Sequence, residues 1–180
     1  HNPMDNFAKF RLAEIKVKQN RDTDEAKKLV HSIQGSHQPN LMKAKCYELL
    51  GDIEYNDNMK DYNKAIQMYG LSADADPDNV EIYIKLAKTH EKVREFEEAI
   101  TLLKKALRRE PRNFIANYRI GLCHIRNNEK TFGLKFLNIA LSINPNDGDV
   151  LLKLGEIYLR DDDTIREASS MIKSVLKIKP

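Results

Sequence analysis

Proline returns in this chain at Pro77, Pro111, Pro145 and Pro180, at spacings of 34, 34 and 35 residues. Two series of small residues keep the same interval. Gly51, Ala87, Gly121 and Gly155 are 36, 34 and 34 apart, and Ala65, Ala99, Gly133 and Ala168 are 34, 34 and 35 apart. Three independent marks on one period define an internal repeat, which restricts the chain to an array of small supersecondary units. Composition removes the competing classes. Gly 7 and Pro 6 in 180 residues are too few for collagen-like or low-complexity sequence. With 41% hydrophobic residues and a net charge of +3, the chain is not built to stay disordered. No apolar run approaches the ~18 residues of a membrane span, so a soluble, mostly helical protein is expected.

Each period reads as two helices. In the stretch 80–113, Ile82, Tyr83, Leu86, Ala87 and His90 fall on one helical face. Val93-Arg94-Glu95 breaks the phase, and Phe96, Ala99, Ile100, Leu103, Ala106 and Leu107 form a second face. Pro111 ends that helix, because proline lacks the donor and its ring clashes with the preceding turn. Asn79, Asn113 and Asp147 each stand two residues after a proline, where a side-chain oxygen can cap the next helix. The recurring Gly and Ala have a packing reason: short side chains let two helix backbones approach where they cross. Ahead of the clear repeats, Phe7, Phe10, Leu12, Ala13, Ile15 and Val17 suggest one helix, and Ala26, Leu29, Val30 and Ile33 another.

This pattern resembles the tetratricopeptide repeat, a helix–turn–helix unit of about 34 residues. The residues that carry the likeness are Tyr47-Leu50-Gly51 with Ala65-Tyr69-Ser72-Pro77, then Tyr83-Leu86-Ala87 with Ala99-Leu103-Ala106-Pro111. Next come Ile120-Gly121 with Gly133-Leu137-Ala140-Pro145, and Leu151-Leu154-Gly155-Tyr158 with Ala168-Ile172-Val175-Pro180. The units fall at 44–79, 80–113, 114–147 and 148–180, after a degenerate hairpin at 4–43. The first unit has two extra residues in its turn, around Asn56–Asp61, and the fourth has one, in Asp161-Asp162-Asp163. The third is the weakest: Asn117 stands at a bulky position, His124 at the aromatic one, and Gly133 early in its second helix, which is expected to fray at its start. The resemblance implies an all-α fold, a right-handed superhelix of stacked hairpins. His1-Asn2-Pro3 before Met4 reads as a cloning remnant, and the abrupt stop at Pro180 suggests a piece of a longer protein. Met171, Ile172, Val175, Leu176 and Ile178 would then lie uncovered on the last helix, marking either truncation or contact with another molecule.

A search for chemistry finds no phosphate-cradling loop, no dinucleotide fingerprint, no HExxH and no CxxC. No catalytic residue, metal site or cofactor is therefore expected. Cys46 and Cys123 occupy apolar-face positions and read as buried thiols; two cysteines make no disulfide framework, so a cytoplasmic or nuclear setting is expected. His90 and His124 sit at equivalent positions, but no third ligand follows at a useful spacing. Asp161, Asp162 and Asp163 lack the glycine and distal glutamate of a calcium loop. Lys104, Lys105, Arg108, Arg109 and Arg112 form a basic stretch. It is explained either by the dipole at a helix C-terminus or by an acidic or phosphate-rich partner. The small net charge argues against a nucleic-acid protein.

The resemblance also implies a concave groove lined by the first helix of each unit. Its positions map to Lys45, Glu48, Asp52 and Tyr55; to Glu81, Ile84, Lys88 and Glu91; to Ile115, Tyr118, Leu122 and Ile125; and to Asp149, Leu152, Glu156 and Leu159. Tyr118, Leu122 and Ile125 form a second apolar stripe on their helix, either packing within the stack or docking a partner segment. Some members of this family grip the C-terminal carboxylate of chaperones. The corresponding positions here, Glu48, Asp52, Lys85, Ile115 and Arg119, do not match that set, and Glu48 and Asp52 would repel a carboxylate, so no such clamp is expected. The expected function is a non-catalytic scaffold that binds a protein or peptide partner in its groove. The alternative is the substrate-recruiting part of an enzyme whose catalytic domain lies outside this chain.

Overall fold

The computed structural model describes residues 3–19, 22–34, 39–56 and 60–159. Among the described residues there are nine helices and no strand. They are α1 (Pro3–Lys18), α2 (Thr23–Gln34), α3 (Asn40–Asn56), α4 (Tyr62–Ala75), α5 (Val80–Lys92), α6 (Phe96–Arg109), α7 (Phe114–Arg126), α8 (Lys130–Ile143) and α9 (Gly148–Tyr158). The chain divides into two compact units, His1–Glu95 and Phe96–Pro180. The first contains α1 to α5 and the second α6 to α9. The Asp161-Asp162-Asp163 turn, Ala168 and the apolar residues from Met171 to Ile178 lie outside the described residues.

Turn chemistry sets the helix boundaries. Pro77, Pro111 and Pro145 each hold the second place of a four-residue turn. Those turns are closed by the N–H of Asn79 to the Asp76 carbonyl (3.3 Å), of Asn113 to Glu110 (3.0 Å) and of Asp147 to Asn144 (3.3 Å). Proline suits that place because its ring presets φ. The residue that closes each turn then caps the next helix. The side chains of Asn79, Asn113 and Asp147 accept from the N–H groups of Ile82, Ala116 and Val150 at 3.3, 2.9 and 3.0 Å. Inside each hairpin a different device recurs. Lys60, Arg94 and Asn128 adopt φ of 43°, 66° and 60°, a left-handed conformation that costs a non-glycine residue roughly 1–2 kcal/mol. At Arg94 and Asn128 that residue lets the next N–H reach back into the helix. Glu95 donates to the His90 carbonyl (3.0 Å) and Glu129 to the His124 carbonyl (2.8 Å), satisfying carbonyls that the ending helix leaves open.

In the first unit, α1 and α2 pack as a hairpin beside α3. Phe10 and Ala13 of α1, Ala26, Val30 and Ile33 of α2, and Cys46, Leu49, Leu50 and Ile53 of α3 form one buried cluster. The apolar residues expected for α1 do not all go inside. Met4, Phe7, Leu12 and Ile15 point to the opposite side of that helix and are exposed. The α3–α4 crossing is set by Gly51. A Cβ there would stand 2.5 Å from the Tyr69 ring, so only glycine lets the ring lie against the backbone. Two hydrogen bonds fix the same crossing: the Tyr69 hydroxyl donates to Asp52 Oδ1 (2.8 Å) and the buried Ser72 hydroxyl to the Ala44 carbonyl (2.8 Å).

In the second unit the α7–α8 crossing uses two glycines. A Cβ at Gly121 would meet Leu137 Cγ at 2.8 Å, and one at Gly133 would overlap the Ile125 side chain and come within 3.1 Å of the Gly121 carbonyl oxygen. Gly133 therefore does not mark a frayed start to α8. Its N–H bonds the Glu129 carbonyl at 3.0 Å, and its missing side chain makes room for Ile125. Leu137 and Ala140 join Val150, Leu154 and Ile157 of α9 in the core. Asn117, buried at a position expected to be bulky, spends its amide on the Asn113 carbonyl (2.9 Å).

Gly51→Ala should destabilise the chain by about 1–3 kcal/mol, because the overlap with Tyr69 outweighs the better helix propensity of alanine. A urea titration followed by circular dichroism measures this, and an equal or higher midpoint would contradict the crossing described.

Candidate functional site

A cleft of about 320 Å3 opens in the first unit between α1, α3 and α5. Arg11, Glu14 and Lys18 reach it from α1, Lys45, Glu48 and Asp52 from α3, and Lys85 from α5, together with Phe10, Val17 and Leu49. Helix periodicity explains the selection: Arg11, Glu14 and Lys18, like Lys45, Glu48 and Asp52, follow the three- and four-residue steps of one face.

Lys85 organises this cleft. Its ammonium donates to Glu48 Oε1 (2.8 Å) and to both oxygens of Asp52 (2.9 and 2.8 Å). Asp52 in turn accepts from the Tyr69 hydroxyl. One lysine from α5 thus ties two carboxylates of α3 and, through Asp52, a tyrosine of α4. Burial works against the charged form of Lys85, but Asp52 and Glu48 outweigh it and hold the ammonium above the ordinary lysine range. Burial and the nearby Asp52 push the Tyr69 hydroxyl well above the ordinary tyrosine value, so it stays a donor. Glu14 accepts from Arg11 and lies 3.3 Å from Lys18.

The residues expected to face a groove are placed as follows. Lys45, Glu48 and Asp52 line the cleft, whereas Ile84 is buried at 4% exposure. Lys88 is exposed, with its ammonium 5.8 Å from the centre of the Tyr55 ring. In the second unit Ile115 of α7 and Leu152 and Leu159 at α9 are exposed, at 45%, 41% and 51%. Glu156 is exposed and accepts from Lys153 at 2.7 Å. Tyr118, Leu122 and Ile125 are half-buried and pack against the Leu137–Ile157 core. Tyr118 also stacks on Phe114, with the rings 6.1 Å apart. Ile125 lines a small cleft of about 170 Å3 with Asn128, Lys130 and Ile157. Lys104, Lys105, Arg108, Arg109 and Arg112 are all exposed.

Groups suited to chemistry are otherwise engaged. Cys46 and Cys123 are buried and form no disulfide, and burial pushes the Cys46 thiol up to about 11. No cluster of three or more metal-ligating side chains occurs among the described residues. Each histidine at the repeated position instead clasps a glutamate five residues on. His90 Nδ1 lies 2.6 Å from Glu95 Oε2 and His124 Nδ1 2.5 Å from Glu129 Oε2. The His124 ring also packs against the rings of Phe132 and Phe136, with centroids at 5.5 and 5.7 Å. The clasp and the Lys85 cluster were not anticipated. Their sequence signals are a glutamate following each histidine at the same interval, and a lysine on one repeat facing two acids on the previous one.

A model described as tetratricopeptide repeat matches residues 59–113. That stretch is similar to the tetratricopeptide repeat in sequence. No curated protein matches the chain by sequence. Among solved structures, a MamA double mutant from strain RS-1 aligns with a TM-score of 0.83 at 16% identity, over 97% of this chain and 94% of that one. MamA from residue 41 onward, of Desulfovibrio magneticus RS-1, gives 0.82 at 16% identity, over 97% and 95%. Another crystal structure of MamA gives 0.80 at 20% identity, over 93% and 94%. At such identities the likeness shows the fold, which is an all-α solenoid of the tetratricopeptide type. No helix among the described residues is long and apolar enough to cross a membrane.

Two consequences can be measured. Lys85→Met leaves Glu48 and Asp52 half-buried beside each other and should cost about 1–3 kcal/mol in a urea titration at neutral pH. Since the Lys85 value is raised on folding, this contribution is present at neutral pH and lost only as pH rises through the raised value. An unchanged midpoint would show that Lys85 organises nothing. The hydrogen bond and charge of His124 hold the Glu129 carboxyl below the usual glutamate range. Its contribution is therefore present above the unfolded value of about 4.3 and lost as pH falls through the lower folded value. Glu129→Gln should lower the urea midpoint at pH 6 and leave it unchanged at pH 3; an equal deficit at both would remove the carboxylate from the account.

Proposed function

We propose that the chain is a non-catalytic protein-interaction scaffold, in which the first helix of each hairpin presents a groove to a segment of a partner protein. The observation that carries this reading is the cleft between α1, α3 and α5, where three such helices present charged side chains around Phe10, Val17 and Leu49. Charged and apolar groups side by side suit a peptide with both kinds of side chain. In the second unit the exposed apolar side chains Ile115, Leu152 and Leu159 offer anchors, with Glu156 as a polar neighbour and the half-buried Tyr118, Leu122 and Ile125 as further apolar surface. Lys88 adds a cation in the first unit. A chaperone-tail carboxylate is a poor fit, because the Lys85 ammonium is already neutralised by Glu48 and Asp52.

Photo-crosslinking amino acids placed singly at Lys45, Ile115 and Leu152 should each trap the same partner in cells. The same probe at exposed Lys28 on α2 or Asn138 on α8 should trap it far less. Equal trapping from α2 and α8, or none from the first helices, would overturn the groove.

A further inference from the structure

The first unit and the groove leave the exposed face of α6 without a role. Between Ala99 and Asn146 the sequence holds nine Lys or Arg and only two acids, Glu110 and Glu129. Glu110 accepts from the Asn113 amide at 2.7 Å, and Glu129, which pairs with His124, also feels the charge of Lys104. Lys104, Lys105, Arg108 and Arg109 all stand on the solvent side of α6, and Arg112 follows in the turn.

Neither the helix dipole nor the spacing along α6 calls for the whole stripe. The helix dipole favours cations only in the last turn, which holds Arg108 and Arg109 but neither lysine. Lys104 with Arg108, and Lys105 with Arg109, are like-charge pairs four residues apart, which repel. The repeat itself does not require them. One period earlier the equivalent positions are Gly70, Leu71, Asp74, Ala75 and Asp78, and one period later Asn138, Ile139, Ser142, Ile143 and Asn146. A packing or capping role would recur with the fold; this one occurs once.

We propose that the outward face of α6, continued by Arg112, docks an aspartate- and glutamate-rich segment of a partner protein. The two rungs, Lys104–Lys105 and Arg108–Arg109, are four residues apart, which is about 6 Å along a helix. Side chains on one side of an extended strand repeat at about 6.6 Å, so alternate carboxylates of an extended segment meet successive rungs. The same face favours a short acidic segment over nucleic acid. Glu97 and Glu98 occupy its N-terminal end and are exposed. They would repel a phosphate backbone continuing along the helix, whereas a peptide can place carboxylates at one end only. This surface lies on a second helix of the repeat and rests on no part of the groove.

A fluorescent peptide of alternating Glu and Ser, sixteen residues long, tests it by anisotropy against the full chain, with a twenty-nucleotide oligo-dT and vesicles of one-third phosphatidylserine as competitors. Lys104→Glu with Arg108→Glu should weaken peptide binding by about tenfold or more. Lys28→Glu with Lys43→Glu, the same charge change on α2 and α3, should weaken it little. Glu97→Gln with Glu98→Gln should tighten it. Circular dichroism melts confirm that each variant is folded, and Lys104→Gln with Arg108→Gln repeats the test without added charge. Equal loss in both reversal variants would overturn the proposal, as would oligo-dT or vesicles binding through Lys104 and Arg108 more tightly than the peptide.

Discussion

Backbone contact at the helix crossings is the constraint on which the rest of this structure depends. Where α3 meets α4, and α7 meets α8, there is no room for a single carbon atom beyond the backbone of Gly51, Gly121 and Gly133. A larger neighbour fills the space in each case: the Tyr69 ring, Leu137 and Ile125. Each crossing thus pairs one absent side chain with one bulky one, and the pairing fixes depth and register together. Tyr69 shows how this reaches the surface. Its ring seats on Gly51, its hydroxyl is delivered to Asp52, and Asp52 receives Lys85 from the next hairpin. A packing decision in the core therefore positions the charges that line the cleft.

Much of this was legible in the sequence, because repetition multiplies weak signals. One proline or one asparagine says little, but Pro77, Pro111 and Pro145, each followed two residues on by Asn or Asp, gave the turn and cap that the hydrogen bonds display. The small-residue series pointed to the crossings for the same reason. What stayed hidden depends on partners chosen in space. Lys85, Glu48 and Asp52 each look like solvated surface residues until neighbouring hairpins bring them together. The left-handed turn residues Lys60, Arg94 and Asn128 were hidden because none is glycine. Gly133 was misread as a weakness because helix propensity is a local quantity, and its value here lies in the space left to Ile125. The exposed side of α1 was illegible for a related reason: Met4, Phe7, Leu12 and Ile15 are as apolar as the residues that entered the core, so periodicity could not separate the two faces.

The two hairpin ends carry different kinds of order. The turns between hairpins use a side-chain cap and a proline, which set direction without long-range contacts. The turns within α5–α6 and α7–α8 add a histidine–glutamate clasp over a left-handed residue, and in α7–α8 the clasped ring packs against two phenylalanines. The α7–α8 turn is thereby held by side chains from both of its arms. The histidines, which in isolation suggest a metal, are here part of the joinery.

Burial of one cysteine in each compact unit has a practical corollary. Cys46 sits in the α1–α3 core and Cys123 on α7, and neither forms a disulfide. A thiol reagent can reach either sulfur only when its surroundings part, so labelling rates become two internal clocks. One times the breathing of the N-terminal hairpins and the other that of the α7–α8 hairpin. Because no other cysteine contributes, the chain arrives already equipped to say whether its two halves loosen together or one at a time.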